Sequence, residues 1–421
     1  MEARPRHCSL SGHGSDAQPS WVAMNTTSLD DAFASGALLG PVSATPSFVD
    51  FARALSAKLS CGPTATSPHQ AAVENFIGEA DHIVFVLVDG MGWMLLEQLP
   101  PDKFLRAQRK MELRAVFPST TGCALPSLAS AHWPARHGAP GWWAYLEERD
   151  LSIVTLPFQE RSSKKSLRDF GISTSEIWAL PPWLQKYRGD AKCVMPAGIV
   201  NSAFSQCFRG LTYEVGYQTI AEAVDIVLSR NKQLSGRSYT YLYLPHFDSD
   251  SHSHGVGSQK THQTLLVIND ELERLAAGLN GRARLLISAD HGLLDVPESG
   301  HLMLLEGDPL LALIKAPPSG EPRAPIFHIH AGQETKFKEM FEQRFGSAFV
   351  LLSAKEVAAR GLLGPEPLSP IAKRSFGDFI GIAMQPASIE YQLAAEPSKP
   401  EHVGQHGGLA PEEMRIPLIV V

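Results

Sequence analysis

Four apolar runs in this chain break abruptly into carboxylate and imidazole residues, and this pattern constrains the fold more than any other feature. HIVFVLVDG ends on Asp89, YTYLYLPHFDSDSHSHG delivers Asp248 and His252, RLLISADHG delivers Asp290 and His291, and GQHGG delivers His406 close to the C-terminus. A fifth break, LRAVFPSTTG, sets Thr120 and Thr121 where a strand runs into a helix. Apolar runs such as IVFVLV show no alternation, which is the mark of a strand covered on both faces. Helical patterns lie between the runs: Ile220, Val224, Val227 and Leu228 share one face, and Leu265, Ile268, Leu272 and Leu275 another. Strands alternating with helices predict a three-layer α/β/α sandwich around a mostly parallel central sheet. Ligands of such sheets gather at the carboxyl ends of the strands, where all the polar breaks fall.

The remaining elements follow from the same patterns. FVDFARALSAKLS (48–60) reads as an amphipathic helix, MGWMLLEQL as a helix after the first strand, LRAVF as the next strand and PSLASAHW as a helix after the threonine turn. Residues 145–215 are irregular and are expected to hold loops and an insertion. Residues 300–399 are proline-rich with one clear helix, ETKFKEMFEQRF, and are expected to leave the core and return as a lid or cap. Residues 41–299 and 400–421 form the expected core. Residues 1–40 read as a flexible tail, within which Met24 is an alternative start.

Composition narrows the function. With 421 residues, 44% hydrophobic, the chain buries a large core. A net charge of −7 and no basic stripe argue against a nucleic-acid partner. No apolar run approaches the ~20 residues of a membrane-spanning helix, and the polar N-terminus lacks the apolar centre of a signal peptide. Cys8, Cys61, Cys123, Cys193 and Cys207 are odd in number and show no CxxC spacing, so free thiols in a reducing cytoplasm are expected.

Three carboxylates, three histidines and a threonine hydroxyl suit two divalent cations with a nucleophile between them. Asp248 and His252, spaced D-x-x-x-H, face one side of a turn, and His406 completes a three-ligand set with a position left open. Asp290 and His291 are adjacent and share a metal only in an irregular turn; Asp89 and the Thr121 oxygen complete that set. Two metals ~3.5–4 Å apart stabilise both the attacking and the leaving oxygen of an in-line displacement. Each signal has a plain alternative: an Asp ending a strand caps a helix, TT is an N-cap, DSDSHSHG is a solvated loop, HGG a turn. A calcium loop is disfavoured, since Ser253 stands where that loop needs glycine and Gln259 where it needs glutamate. His328 and His330 in IFHIH are read as structural, and His132, His137 and Asp250 as pocket-lining at most.

The order of VDGMG, FPSTTG, ARHG, DxxxHxxG, VGS, ADHG, EPRA and GQHGG followed by EEMRIPLI resembles the alkaline phosphatase superfamily, in its type I phosphodiesterase/nucleotide pyrophosphatase branch. The resemblance runs from about Asp81 to the end. It implies that Asp89, Thr121, Asp290 and His291 bind one zinc, that Asp248, His252 and His406 bind the other, and that Thr121 rather than Thr120 is the nucleophile. A sulfatase is not expected, because Cys123 is followed by ALPS without the arginine that branch needs, and a membrane-bound transferase is not expected either. Where the resembling phosphodiesterases carry a phosphate-holding asparagine, an ungapped count places Trp142. The expected function is hydrolysis of a small phosphate ester through a phosphothreonine intermediate. A phosphomonoesterase or phosphonate hydrolase at the same site is the alternative, and a non-catalytic binding protein a more distant one.

Overall fold

The computed structural model describes residues 28–208, 212–392 and 402–421. Its centre is a seven-stranded sheet ordered Met111–Arg114, Arg415–Val420, Arg284–Ser288, His82–Val88, Ser238–Leu244, Asp190–Pro196, Tyr213–Tyr217. Five of these strands pair in parallel; Arg415–Val420 runs antiparallel to both its neighbours. His82–Val88 sits at the middle of the sheet, buried along nearly its whole length, which is why its sequence shows no alternation. Helices 48–58, 68–77 and 121–130 pack together, as do helices 220–231, 246–254 and 259–279, and they flank the sheet as two separate layers. In the longest helix, Leu265, Ile268, Leu272 and Leu275 are all buried, as their spacing predicts.

A second seven-stranded sheet joins 319–321, 324–327, 349–353 and 379–383 with three strands from an earlier part of the chain, 143–146, 151–154 and 159–160. All its pairings are antiparallel, and the seam between the two segments is the pairing of Trp143 with Gly320. Helix Glu334–Phe345 packs Phe337, Phe341 and Phe345 into a separate hydrophobic cluster beneath this sheet. The second sheet thus draws on residues 143–160 as well as on residues 319–383.

Three sequence expectations need correction. MGWMLLEQL forms only a short 3-10 turn at Leu95–Gln98. A Cβ on Gly92 would lie 2.8 Å from Gly292 Cα and 2.9 Å from the Glu412 carbonyl, and Trp93 N–H donates to Arg415 O at 2.7 Å, so this backbone is spent on crossing chains. The strand in LRAVF stops at Arg114. Residues 28–40 are not tail-like: Leu29–Ser35 is a helix capped by Ser28, Leu29 and Leu38 are buried, and Leu39 N–H donates to Leu409 O. The rest of the expected tail, with Met24 and Cys8, lies outside the described residues.

Candidate active site

The local folding of each segment explains where its polar residues point. Asp89 follows the central strand directly, and Gly90 turns the chain with φ of 72°. A Cβ on Gly90 would lie 2.4 Å from Leu293 and 3.1 Å from Asp248 Cβ, so only glycine lets these two carboxylates approach. Asp248 and His252 lie one turn apart on helix His246–His254, which places DSDSHSH on a helix rather than in a solvated loop. Asp290 and His291 sit in the irregular turn after Arg284–Ser288. His406 follows the two-residue strand Gly404–Gln405. Thr121 is the first residue of helix Thr121–Ser130, and Thr120 holds the N-cap position with extended backbone.

These residues converge. Thr121 Oγ1 lies 3.2 Å from each Asp89 oxygen and 3.1 Å from His291 Nε2. His291 Nε2 is 3.4 Å from Asp89 Oδ1 and 3.6 Å from Asp290 Oδ2. On the other side, Asp248 approaches His252 Nε2 at 3.4 Å and His406 Nε2 at 3.9 Å. Two sets of groups lie within 4.8 Å of one another and suit a metal ion: Asp89, Asp290 and His291, and Asp248, His291 and His406. His291 belongs to both sets and stands between them, its ring stacked 3.9 Å from that of His406. His252 borders the second set through Asp248.

The donor chemistry fits a cation. Nδ1 of His252, His291 and His406 each faces a backbone carbonyl, of Gly404, Gly292 and Ser119 in turn. A carbonyl only accepts, so each Nδ1 carries the ring hydrogen and each Nε2 presents its lone pair to the centre. Burial, then the neighbouring His291 and His252, holds the His406 imidazole well below its usual range and keeps it neutral. Asp248 Oδ1 and Asp290 Oδ2 are sealed from solvent without a hydrogen-bond partner, an arrangement that a bound cation relieves. Burial, then Asp290 and Asp248, pushes the Asp89 carboxyl well up, again the signature of negative charge lacking a counter-charge. Tyr243 donates a hydroxyl hydrogen to Asp89 Oδ2, and Gly90 N–H donates to Asp290 Oδ1 at 3.2 Å.

Other candidates lie elsewhere. His137 is buried against Ser127, and burial lowers its pKa to about 3. His132 approaches Glu366, and Asp250 accepts from Thr264. His328 packs edge-on against Tyr145, and burial lowers its pKa to about 4. Trp142 is 38% exposed beside the Thr121 turn, while the Trp143 ring lies under Arg161. No described helix is long and apolar enough to cross a membrane.

Two buried carboxylates were not singled out from the sequence. Glu413 accepts both Arg323 Nε (2.7 Å) and Nη2 (3.0 Å), and also Gly408 N–H and Ala410 N–H, so this ion pair pins the loop that carries His406. Replacing Arg323 by Met leaves Glu413 buried without its partner. We expect a loss of ~3–5 kcal/mol in stability, read as a lower denaturation midpoint, with part recovered when Glu413 is also made apolar. The second is Glu321, whose carboxyl accepts from Thr120 Oγ1 and Trp142 N–H. Their only signals in the sequence were the short strings EPRA and EEM, which carry no periodicity.

A parallel sheet with carboxylates and imidazoles gathered at its strand ends suits a metal-dependent hydrolase, and the family to which the chain belongs makes it one of phosphoric esters. The chain belongs to the type I phosphodiesterase/nucleotide pyrophosphatase family of the alkaline phosphatase superfamily: the model of that family matches residues 83–408. Human ectonucleotide pyrophosphatase/phosphodiesterase 5 is similar in fold, with a TM-score of 0.61 at 16% identity over 80% of this chain and 87% of that one. The murine counterpart, solved as an inactive variant in complex with AMP, gives a TM-score of 0.59 at 14% identity over the same shares. Phosphonoacetate hydrolase from Sinorhizobium meliloti, in complex with phosphonoformate, gives 0.56 at 16% identity over 80% of this chain and 89% of that one. No curated protein matches the sequence.

Proposed function

We propose that this protein hydrolyses phosphate diesters or nucleotide pyrophosphates at a two-zinc site, with Thr121 as the nucleophile. The observation that carries the reading is the Thr121 hydroxyl at a helix start, within 3.2 Å of both Asp89 oxygens and 3.1 Å from His291 Nε2. In this reading Asp89, Thr121, Asp290 and His291 hold one ion, and Asp248, His252 and His406 the other. The ions supply Lewis acidity to the phosphoryl oxygens and lower the pKa of hydroxyl groups and water beside them.

The chain's own residues do the rest. Asp89 accepts the Thr121 hydroxyl hydrogen and aims the oxygen, and the unpaired N–H groups at the helix start receive a phosphoryl oxygen. Thr121 Oγ1 forms a bond to phosphorus while the bond to the leaving oxygen breaks, and the leaving group departs with the electron pair. Water then attacks the phosphothreonine, and Thr121 Oγ1 leaves and regains its hydrogen. A cytoplasmic setting belongs to the same reading, supported by the free thiols of Cys61, Cys123 and Cys207.

A diester preference is supported by what surrounds Thr121. The residues after it, Gly122, Cys123 and Ala124, supply no cation for a dianionic phosphate. Exposed Trp142 offers a stacking wall for an aryl or nucleotide group. Bis-p-nitrophenyl phosphate or a nucleotide pyrophosphate is expected to show higher kcat/KM than p-nitrophenyl phosphate, and Trp142→Ala to raise KM for the aromatic diesters. A wild-type preference for monoesters, or for phosphonates in the same screen, overturns this assignment.

A further inference from the structure

Glu321 ends the short strand Ser319–Glu321, which the second sheet delivers to the Thr121 turn. It is 5% exposed, and its two protein hydrogen bonds both go to Oε1, from Thr120 Oγ1 and from Trp142 N–H, each 2.6 Å. Among the described residues nothing donates to Oε2, and this oxygen is not among the sealed, partnerless atoms.

The surrounding backbone is shaped around this one side chain. A Cβ on Gly407, next to His406, would lie 2.6 Å from Glu321 Cβ. A Cβ on Gly141, next to Trp142, would lie 2.9 Å from Glu321 Oε1, and one on Gly122, next to Thr121, 2.7 Å from the Gly141 carbonyl. The carboxyl is therefore held between the turn that carries Thr121, the loop that carries His406 and the wall that carries Trp142. It also lies within electrostatic reach of His291 and Asp248.

We propose that Glu321 is a specificity-determining residue that disfavours doubly charged phosphate monoesters relative to singly charged diesters. The proposal rests on the reading of Thr121 as the attacking residue. A fixed carboxylate beside the phosphoryl position acts on the second negative charge that a monoester carries and a diester lacks, and discrimination of this kind is a difference between two binding energies. Burial pushes the Glu321 carboxyl up to about 7, with the Thr120 and Trp142 hydrogen bonds opposing the rise, so it is ionised in alkaline solution.

The test is Glu321→Gln, which keeps a carbonyl oxygen for Thr120 and Trp142 and removes the charge. Values of kcat/KM for bis-p-nitrophenyl phosphate and p-nitrophenyl phosphate are measured at about pH 9, well above a carboxyl titrating near 7. The diester-to-monoester ratio is expected to fall roughly tenfold or more, the scale of one charge pair across a few ångström of protein, while Glu321→Asp keeps the wild-type ratio. Equal losses on both substrates overturn the proposal, since a merely structural role lowers both together. A wild-type preference for monoesters overturns the diesterase reading alone, because the change in ratio still reports what Glu321 does. Should Glu321→Gln fold without turnover, titration with inorganic phosphate decides: binding roughly tenfold tighter than to the wild type supports the proposal, and unchanged affinity overturns it.

Discussion

Chelation of the purified protein abolishes phosphate ester turnover, and added zinc restores it: this is the largest effect expected of any single treatment. Three carboxylates fall in two overlapping groups that share His291, with two oxygens, Asp248 Oδ1 and Asp290 Oδ2, sealed and unpartnered. Three imidazoles turn Nε2 inward because carbonyls hold their Nδ1 hydrogens. Without cations these groups neither carry the phosphoryl charge nor activate a hydroxyl at neutral pH. Elemental analysis is expected to find about two zinc ions per chain, one for each proposed ligand set. Because ions bind the folded chain, zinc is also expected to raise Tm, by an amount set by RT ln(1 + [L]/Kd). Full activity in protein shown by elemental analysis to be metal-free would sink the two-metal reading.

The second large effect falls on one hydroxyl of an adjacent pair. Thr121→Ala is expected to lower kcat on the order of 10³-fold or more, as loss of a nucleophile does elsewhere, while the fold and the Asp248 side of the site persist. Thr120→Ala is expected to be far milder. Thr120 occupies the N-cap position, yet its hydroxyl does not cap the helix and donates to Glu321 instead. Its loss removes one buried hydrogen bond, worth about 1 kcal/mol. Steady-state kinetics on both variants, with far-UV circular dichroism as the control for folding, decides between them. Reversed effects shift the nucleophile by one residue; two active variants make water the attacking group.

Both predictions start from what could be read along the chain, and the physical reason is local. A strand buried on both faces has to be apolar throughout, so the point where the run breaks marks its carboxyl end. In a parallel sheet those ends lie on one side, so Asp89, Asp290 and the helix bearing Asp248 were bound to meet once the strands were recognised. Helical periodicity likewise gave 259–279 and 334–345 nearly to the residue, and gave 220–231 with its start placed too early, at 216. The strands Asp190–Pro196 and Tyr213–Tyr217 went unread because they lie toward the sheet edge, where half-exposed positions carrying Lys192 and Glu214 dilute the pattern. MGWMLLEQL has helix-forming composition, but close backbone crossings at Gly92 and Gly292 claimed it first.

The sequence by itself determined the class of sheet, the side on which polar groups gather and the identity of the residues that gather there, because each depends on a run of neighbours. Only the tertiary structure decided what those residues touch. The pairing of Trp143 with Gly320 builds a second sheet from segments far apart in the chain, and it carries Glu321 to Thr120, 201 positions away. The same holds for Arg323 and Glu413, which pin the His406 loop across 90 positions. Contacts of this kind are selected by the packing of whole elements against one another, and no local periodicity records them.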